Sequence, residues 1–223
     1  MRNNPAMADE DIIQILLVDD HPMMRRGLRD LLAMEDDMQP IGEAGSGQEA
    51  LELVTRLEPD LILMDLNMPG MDGLETLKRL RDQQVDARII MFTVSDDHEH
   101  VLEALRNGAD GYLLKDMDAE HLVEQIRLAA RGKLALSPEL NLVLAEAIRG
   151  RSKTTTQIKA SSLTKREKDV LRHIAKGLSN KMIARKLEIT EGTVKVHVKR
   201  LLNKLGMRSR TEAAVWVVEN NLA

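Results

Sequence analysis

Short apolar runs alternate with amphipathic stretches along the first 131 residues of the chain. The apolar runs are rich in Ile, Leu and Val, and they predict β-strands at 12–18, 39–44, 60–66, 88–92 and 111–114. The stretches between them carry apolar residues at helical spacing and predict helices at 22–34, 47–57, 73–82, 97–107 and 118–131. Such alternation is typical of an α/β domain. We therefore predict a doubly wound, five-stranded parallel sheet with helices on its faces.

The alternation stops after Gly132. Ser137 and Pro138 predict the start of a further helix, because serine caps helices and proline suits their first turn. Residues 150–162 are polar and rich in Lys, Ser and Thr, which indicates a flexible tether. We therefore expect three parts: an α/β domain at 12–131, a linker helix and tether at 132–162, and a helical domain at 163–223.

The last part of the chain has the pattern of several short helices. Thr164 and Glu167 predict a capping box that opens the first one. A second helix is predicted at 179–187, and Thr190 caps a third that runs to about residue 205. Five apolar residues of this third helix share one face, which predicts their burial: Val194, Val198, Leu201, Leu202 and Leu205. The arrangement is that of a helix-turn-helix.

Composition excludes several kinds of protein. The 223 residues are 43% hydrophobic, enough for the cores of two domains, and there is no cysteine for a disulfide or a thiolate metal site. The three aromatic residues, Phe92, Tyr112 and Trp216, are too few for an aromatic surface that stacks nucleobases. No segment approaches the roughly 20 apolar residues of a spanning helix, and the start lacks the apolar region of a signal peptide. We expect a cytoplasmic protein without a membrane partner.

The net charge of −4 hides an asymmetry between the two ends of the chain. Residues 1–160 contain 18 Lys and Arg against 30 Asp and Glu, a net charge of −12. Residues 161–223 contain 14 against 6, a net charge of +8. A basic helical domain indicates a polyanionic partner such as nucleic acid. The opposite signs also allow the two parts of the protein to attract each other.

Acids and a base follow three of the predicted strands. Asp19 and Asp20 come after the first strand, Asp65 after the third and Lys115 after the fifth. The carboxyl ends of neighbouring parallel strands share one edge, where ligands bind. Three carboxylates in one crevice repel one another unless a cation lies among them, and carboxylates suit Mg²⁺. We therefore predict a Mg²⁺ site in which Asp65 attacks a phosphoryl group.

Two further residues fit this chemistry, and several alternatives do not. Lys115 would neutralise charge on the phosphoryl oxygens, and Thr93 at the end of the fourth strand would hydrogen-bond one of them.

A single acid after a strand is often only the first residue of a loop, so the prediction depends on the whole set. Haloacid dehalogenases also use an aspartyl phosphate, but they need an acid two residues later, where this chain has Asn67. No P-loop motif is present.

The set of acidic, threonine and lysine residues resembles that of the two-component receiver domain over residues 12–131. Its motifs occur in order: Asp19-Asp20, Asp65 before Asn67-Met68-Pro69-Gly70-Met71-Asp72-Gly73, Thr93, and Lys115 after Gly108-Ala109-Asp110-Gly111-Tyr112. The resemblance implies a flavodoxin-like strand order 2-1-3-4-5 and phosphorylation of Asp65. It also implies that Asp20, Asp65 and the main-chain carbonyl of Asn67 bind Mg²⁺ with help from Asp19. Thr93 and Tyr112 would be the switch pair. One departure is Asp116, where many receivers have proline.

The third predicted helix presents basic residues away from its buried face. Lys195 and Lys199 flank an exposed Val196, and a DNA major groove offers hydrogen-bond acceptors and thymine methyl groups to such side chains. We predict that these three residues contact bases and that the helix is a recognition helix. Polar and basic residues at neighbouring helix ends are expected to contact phosphates: Ser179, Asn180, Lys181, Thr193 and Arg208. Arg210 would extend this set.

The helical part resembles the LuxR-type helix-turn-helix from residue 163 to about residue 216. The resemblance rests on Leu163-Thr164-x-x-Glu167, Gly177-Leu178-Ser179-Asn180-Lys181 and Thr193-Val194-Lys195-Val196-His197. Together the two resemblances indicate the NarL/FixJ class of response regulators. They imply a regulator rather than an enzyme, partnered by a sensor histidine kinase, promoter DNA and the transcription machinery, and dimeric on DNA. Segments 65–71 and 180–185 are similar to those of regulators of nitrate and nitrite respiration.

The residues leave two alternatives open. The helical part is also compatible with a basic bundle that binds an acidic protein, which would make the chain a phosphorylation-driven adaptor. The DNA-binding part is compatible with constitutive binding beside a vestigial receiver, although the complete set of acids, threonine and lysine disfavours that. If phosphorylation does control DNA binding, the opposite charges favour a state in which the acidic part covers the recognition helix.

Overall fold

The computed structural model describes residues 12–137, 140 and 163–219. These residues form an α/β domain and a helical domain, each with its own hydrophobic core. The expected linker helix that starts at Ser137 and the expected tether at 150–162 lie outside the described residues.

The α/β domain is a parallel sheet with helices between consecutive strands. Its elements are β1 (Ile13–Val18), α1 (Pro22–Leu32), β2 (Met38–Ala44), α2 (Gly47–Leu57), β3 (Leu61–Met64), α3 (Gly73–Asp82), β4 (Arg88–Thr93), α4 (His98–Arg106), β5 (Gly111–Leu114), α5 (Ala119–Ala130) and β6 (Ala135–Leu136). The strands lie in the order β2-β1-β3-β4-β5-β6 and all pairs are parallel. The doubly wound order 2-1-3-4-5 is therefore confirmed, but the sheet has six strands rather than five.

The additional strand β6 lies beside β5, within the segment that the sequence pattern places in the linker. Gly111 of β5 is opposite Ala135 of β6. A Cβ on Gly111 would lie 2.9 Å from the Ala135 Cβ, so glycine permits this close approach. A strand of two residues is too short to produce an alternating pattern, and this is why the sequence does not predict it.

The sheet is buried on both faces because helices cover each side. Side chains of successive strand residues point to opposite faces. In β1, Leu16 and Val18 pack into the core that includes Val54 and Leu77, whereas its other apolar residues pack into the core under α1 and α5. This two-sided burial explains the nearly continuous apolar runs of the strands. The helices cover the faces of the sheet but not the carboxyl ends of its strands, where a ligand can reach the domain.

The helical domain consists of α6 (Lys165–Ala175), α7 (Asn180–Leu187), α8 (Glu191–Leu205) and α9 (Arg210–Glu219). The predicted capping box at the start of α6 is present: the Thr164 amide donates to Glu167 Oε2 at 2.7 Å, and the Glu167 amide donates to Thr164 Oγ1 at 3.3 Å. Gly177 has a φ of 75° and lies between α6 and α7. The left-handed backbone at this turn favours glycine.

The buried face of α8 agrees with the sequence pattern. Val194, Val198, Leu201 and Leu205 are buried, and Leu202 is half-buried against the same core. Helices α6, α7 and α9 pack around this face. In the two described parts of the chain, no helix has both the length and the apolar character needed to cross a bilayer.

Candidate functional site

The predicted acids and base meet at the carboxyl edge of the sheet. Asp19 and Asp20 follow β1, Asp65 follows β3 and Lys115 follows β5. Asp19 and Asp65 are only 2% and 4% exposed, and Asp20 is half-buried. Since parallel strands place these residues on neighbouring positions of one edge, the sheet order brings together residues almost 100 positions apart.

Lys115 is the cation of this pocket. Its Nζ donates hydrogen bonds of 2.7 Å to Asp19 Oδ2 and to Asp65 Oδ2. Burial disfavours the charged ammonium, but the bonds to the two carboxylates outweigh burial and raise the pKa of Lys115 above its usual value. The side chain therefore remains charged at neutral pH and holds the two acids together.

The loop after Asp65 folds back closely over it. The Asn67 amide donates to Asp65 Oδ1 at 3.3 Å, and the Gly73 amide donates to the Leu66 carbonyl oxygen at 2.8 Å. A Cβ on Gly73 would overlap the Asp65 carbonyl oxygen, so only glycine fits there. Asp72 then caps α3 by accepting a 2.8 Å hydrogen bond from the Glu75 amide. These contacts fix the carboxylate at the mouth of the pocket.

The two predicted switch residues contact the same serine. Thr93 is buried at the end of β4, and its Oγ1 accepts a hydrogen bond of 3.3 Å from the Ser95 amide. The Tyr112 hydroxyl donates to the Ser95 carbonyl oxygen at 2.9 Å. Burial, with a smaller contribution from nearby carboxylates, raises the pKa of Tyr112 to about 12. Sequence reasoning missed Ser95, because its role is performed by its main chain.

The acids fit a divalent cation. Asp19, Asp20, Asp65 and His21 each offer a ligand atom, and these atoms lie within 4.8 Å of one another. Asp20 Oδ1 is shielded from solvent, and it is paired with the His21 imidazole at the rim of the pocket. Three carboxylates that meet in one pocket favour a bound cation, and Mg²⁺ prefers oxygen ligands. The role of the Asn67 carbonyl as a ligand stays a prediction.

His21 was not singled out from the sequence, although it directly follows the paired acids. Its Nδ1 lies 2.7 Å from Asp20 Oδ1 and 3.4 Å from Asp19 Oδ1. Its amide donates to Asp19 Oδ1 at 2.8 Å, and its extended backbone precedes Pro22 at the start of α1. The imidazole therefore stands at the rim of the acidic pocket.

The predicted base-contacting residues lie on the outer surface of α8. Val196 is 47% exposed, and Lys199 is exposed beside it. Lys195 is half-buried, and its Nζ forms a 2.8 Å ion pair with Glu58 Oε2 of the α/β domain. Burial disfavours its charge, but the bond to Glu58 outweighs this and raises the pKa of Lys195.

The predicted phosphate-contacting residues divide into two groups. Ser179 and Thr193 lie at helix starts: Ser179 Oγ accepts from the Met182 amide at 3.2 Å, and Thr193 is exposed. Lys181 is half-buried in the first turn of α7.

Asn180 and Arg208 instead contact the α/β domain. Asn180 Nδ2 donates to Asp86 Oδ2, and Arg208 Nη1 donates to Asn107 Oδ1 at 2.9 Å. The α/β domain therefore engages part of the predicted DNA surface.

Arg210 was expected to extend the phosphate contacts; in the described arrangement its side chain lies inside the protein, and the contact with DNA stays a prediction. The side chain is buried, and it donates to Asn180 Oδ1 at 2.5 Å and to the Leu178 carbonyl oxygen. Burial, followed by the nearby charge of Arg88, lowers its pKa to about 10.

A buried polar cluster joins the two domains. The Thr211 hydroxyl accepts from Arg88 Nη1 at 2.9 Å and donates to Asp110 Oδ1. Asp110 Oδ2 also accepts a 2.6 Å bond from Arg81 Nη2 and a 2.9 Å bond from the Ile89 amide. The side chains of the cluster are buried, and Thr211 is its one described member from the helical domain. Arg81 and Asp110 bond to each other within the α/β domain, so the two hydrogen bonds of Thr211 are the part of the cluster that links the domains.

The main chains of the domains also meet closely. A Cβ on Gly132 would lie 2.9 Å from the Gly177 Cα, and a Cβ on Gly177 would overlap the Arg131 carbonyl oxygen. Both glycines have positive φ angles, of 80° and 75°. This contact leaves no room for a side chain at either position.

Comparison with known proteins agrees with this architecture. The family described as the response regulator receiver domain matches residues 15–127, and the luxR family of bacterial regulatory proteins matches residues 161–217. The chain is 51% identical over 216 residues to the nitrate/nitrite response regulator protein NarL of Escherichia coli K12, which covers 97% of this chain and 100% of that protein. It is 47% identical to the nitrate/nitrite response regulator protein NarP of the same strain, over 96% of this chain and 98% of NarP.

A solved structure aligns with nearly the whole chain. The response regulator ChrA of a heme-sensing two-component system is 31% identical and has a TM-score of 0.51, with 96% of this chain and 100% of ChrA covered. The receiver match alone spans half of the chain, and the NarL match spans almost all of it. The chain therefore belongs to the two-component response regulators that join a receiver domain to a LuxR-type helix-turn-helix domain.

Proposed function

We propose that the protein accepts a phosphoryl group on Asp65 from a sensor histidine kinase and then binds promoter DNA to control transcription. It acts as a regulator rather than as an enzyme. The observation that carries this proposal is the bridge from Lys115 to both Asp65 and Asp19, in a pocket whose acids fit a cation. Such a pocket suits phosphoryl transfer, and it lies on the same chain as a LuxR-type domain.

In the proposed reaction an oxygen of the Asp65 carboxylate attacks the phosphorus of a phosphohistidine. A P–O bond forms, the P–N bond breaks, and the imidazole leaves with the bonding electron pair. Lys115, whose ammonium contacts Asp65 Oδ2, neutralises charge on the phosphoryl oxygens. When bound, Mg²⁺ adds positive charge at the same oxygens. Asp19, Asp20, Asp65 and the Asn67 carbonyl would hold that ion.

The response to phosphorylation would begin at Thr93. Its oxygen accepts a hydrogen bond from the Ser95 amide, which leaves the hydroxyl proton available to a phosphoryl oxygen. A shift of Thr93 toward the phosphoryl group would alter the loop at Ser95. Tyr112 is hydrogen-bonded to that loop, so its position would change as well. Thr93 and Tyr112 are therefore proposed as the switch pair.

The described arrangement would be the form that does not bind DNA. Lys195, Asn180 and Arg208 contact Glu58, Asp86 and Asn107 of the receiver, so these groups are engaged away from DNA. Phosphorylation would separate the domains. The free helical domain would then use Lys195, Val196 and Lys199 on bases. Its phosphate contacts would be Ser179, Asn180, Lys181, Thr193 and Arg208.

The division of the chain and its partners complete the proposal. We take residues 12–131 as the receiver, 132–162 as the linker helix and tether, and 163–223 as the DNA-binding domain. The protein would act in the cytoplasm, bind DNA as a dimer and act on the transcription machinery. The identities to NarL and NarP support target genes that respond to nitrate or nitrite. The signal itself would be sensed by the kinase.

Selection of genomic DNA fragments by the purified protein tests the proposal. The selection is run with and without Mg²⁺ and acetyl phosphate, and Asp65→Asn is carried as the matched variant. We expect promoter fragments only with the phosphodonor and wild-type protein, among them promoters of nitrate respiration. Equal enrichment under all conditions would show constitutive DNA binding and a vestigial receiver.

A double substitution separates a DNA regulator from an adaptor. Lys195→Ala with Lys199→Ala removes two of the proposed base contacts from the surface of α8, so specific retention of DNA is expected to disappear. Lys168→Ala with Lys176→Ala, on exposed positions of the same domain, is the charge-matched control. Unchanged retention in the first variant would contradict base recognition by α8.

A further inference from the structure

We propose that His100 is a positioning residue of the phosphorylation switch, and that it holds the switch loop in its resting position through the side chain of Ser95. The switch loop is residues 94–97, between β4 and α4. Ser95 Oγ lies 3.1 Å from His100 Nδ1. The inference rests on the proposed function, because it concerns how readily Thr93 and Tyr112 respond when the pocket is phosphorylated.

All three polar groups of Ser95 are hydrogen-bonded to different parts of the receiver. Its amide donates to Thr93 Oγ1 at 3.3 Å, and its carbonyl oxygen accepts from the Tyr112 hydroxyl at 2.9 Å. Its hydroxyl contacts His100, in the first turn of α4. Two of the three bonds therefore lead to the proposed switch pair, and the third joins the loop to a helix.

The contact between Ser95 and His100 forms in either protonation state of the ring. A neutral imidazole with its proton on Nε2 accepts the hydroxyl proton at Nδ1, and a protonated imidazole donates its Nδ1 proton to the hydroxyl oxygen. The Asp97 amide, 3.4 Å from the same oxygen, uses only one of its two acceptor positions. The bond is therefore available throughout the pH range in which histidine titrates.

Helix α4 is the fixed end of this contact. Val101 and Ala104 on its inner face are fully buried. Just after its last turn, the Gly108 carbonyl oxygen accepts a 2.9 Å hydrogen bond from Nε of the buried Arg81. The helix is therefore held along its length, and the imidazole is held with it.

The switch loop is the mobile end. Val94 is 74% exposed, and Asp96 and Asp97 are exposed, so polar contacts rather than apolar packing hold the loop. In the proposed response Thr93 turns its hydroxyl toward a phosphoryl oxygen and displaces Ser95. A bond of 3.1 Å is lost once its two atoms move about 0.5 Å farther apart, and α4 is held too firmly to follow.

The lost bond opposes phosphorylation. It stabilises the resting position of the loop and not the displaced one, so it lowers the affinity of the pocket for a phosphoryl group. Removing the bond is expected to favour the displaced position by about fivefold, the effect of one hydrogen bond of ordinary net strength.

The test measures binding of beryllofluoride, which imitates a phosphoryl group on an aspartate, to the full-length protein saturated with Mg²⁺. Calorimetry gives the dissociation constants for wild type, His100→Leu, Ser95→Ala and the double variant. We expect each single variant to bind beryllofluoride about fivefold more tightly than wild type. The double variant should gain no more than either single one, because both changes remove the same bond.

Two further variants separate the bond from a general effect of changing α4. His100→Asn keeps a hydrogen-bonding group near the position of Nδ1, so its affinity for beryllofluoride should return toward that of wild type. His98→Leu changes an exposed histidine of the same helix and should have no effect. Ser95→Ala removes a single oxygen from the loop, so it tests the bond even where His100→Leu disturbs the packing of α4.

The ¹⁵N resonance of His100 Nδ1 reports the bond directly. In wild type it should shift when beryllofluoride saturates the pocket, because the serine hydroxyl moves away. In Ser95→Ala the free protein should already show the shifted resonance, and beryllofluoride should change it little. A histidine with a purely structural role would not respond to the ligand.

Three results would overturn the inference: unchanged or weaker binding of beryllofluoride in both single variants, additive effects in the double variant, or a His100 resonance in wild type that does not respond to beryllofluoride. Failure of the proposed function is seen in wild type alone. A wild-type pocket that binds no beryllofluoride contradicts both proposals, whereas a DNA selection without promoters contradicts only the proposed function.

Discussion

At the scale of the residue, the acidic pocket depends on charges that neutralise one another. Lys115 is buried between Asp19 and Asp65, and each carboxylate is nearly inaccessible to water. Removal of one member of such a buried set leaves the charges of the others unneutralised, and this usually costs more stability than the intact ion pair contributes. The lysine and the metal ion also act on the same carboxylates, so they partly substitute for each other.

We expect Lys115→Met to lower the stability of the receiver and to increase its dependence on Mg²⁺. Loss of the ammonium leaves Asp19 and Asp65 to repel each other, and the free energy of unfolding should fall by about 3 kcal/mol. Mg²⁺ should then raise the melting temperature of the variant more than that of wild type. Lys78→Met, at an exposed position on α3, is the control. A smaller Mg²⁺ effect in the variant would contradict this account.

The single tyrosine of the chain provides a pH test. Burial raises the pKa of Tyr112 to about 12, while the unfolded chain should titrate near the ordinary value of about 10. The folded protein therefore holds this proton more tightly, so its stability should fall as the pH rises from 10 to 12 and be unaffected by this group below 10. Ultraviolet absorbance of tyrosinate measures both states. If Tyr112 of the native protein formed tyrosinate near pH 10, its hydroxyl would be accessible to water and this prediction would be wrong.

At the scale of the element, the starts of most helices are defined by capping side chains that can be recognised in the sequence. Serine, threonine and aspartate cap α2, α3, α4, α5, α6, α7 and α8, and each accepts a main-chain hydrogen bond from the first turn. Caps act locally, and for this reason the boundaries of these helices can be predicted from the sequence. The capping box of α6 is the most complete example, since Glu167 also accepts a 2.7 Å bond from Lys204 on α8.

Thr164→Ala should destabilise the helical domain by about 1 kcal/mol, the usual cost of losing a threonine cap. Trp216, the only tryptophan, lies on α9 and reports the unfolding of this domain by fluorescence in urea. Lys168→Ala changes an exposed residue of the same helix and should have little effect. A destabilisation by the control as large as that of Thr164→Ala would exclude the cap as the cause.

Long elements with local sequence patterns can be predicted, whereas short elements that depend on distant contacts cannot. The strands β1 and β4 are long, apolar runs, and their assignment needs no knowledge of their neighbours. The two residues of β6 become a strand only because Gly111 allows them to approach β5. The acids and Lys115 could be located because each follows a strong strand. Ser95 could not, since its contacts with Thr93 and Tyr112 are made by its main chain.

At the scale of the whole molecule, the two domains share contacts that no local pattern predicts. Thr211 is more than 100 residues from Asp110, and it is an ordinary helix-start residue in the sequence. Glu58 and Asn107 end receiver helices, and nothing in the sequence around them indicates their contacts with the helical domain. The charge asymmetry predicts attraction between the domains, but only the structure identifies the partners.

Thr211→Val should favour separation of the domains. The valine has nearly the same shape, but it cannot bond to Arg88 or Asp110, whereas Asp110 keeps its bonds to Arg81 and to the Ile89 amide. Without phosphorylation, the affinity for a target promoter should rise about tenfold, equivalent to about 1.4 kcal/mol. Fluorescence anisotropy at one salt concentration measures this rise. Thr55→Val, on the exposed surface of α2, is the control, and an unchanged affinity in Thr211→Val would refute the role of the cluster.

The close contact between Gly132 and Gly177 is a place where a single substitution can separate the two domains without phosphorylation. Surface contacts between the domains, such as the Lys195–Glu58 ion pair and the Arg208–Asn107 hydrogen bond, can be weakened one at a time while the others remain. A single methyl group at either glycine acts as a wedge between two main chains, and no side-chain movement can accommodate it. Selection for promoter activity without a kinase should therefore recover substitutions at these two positions ahead of any at the surface contacts.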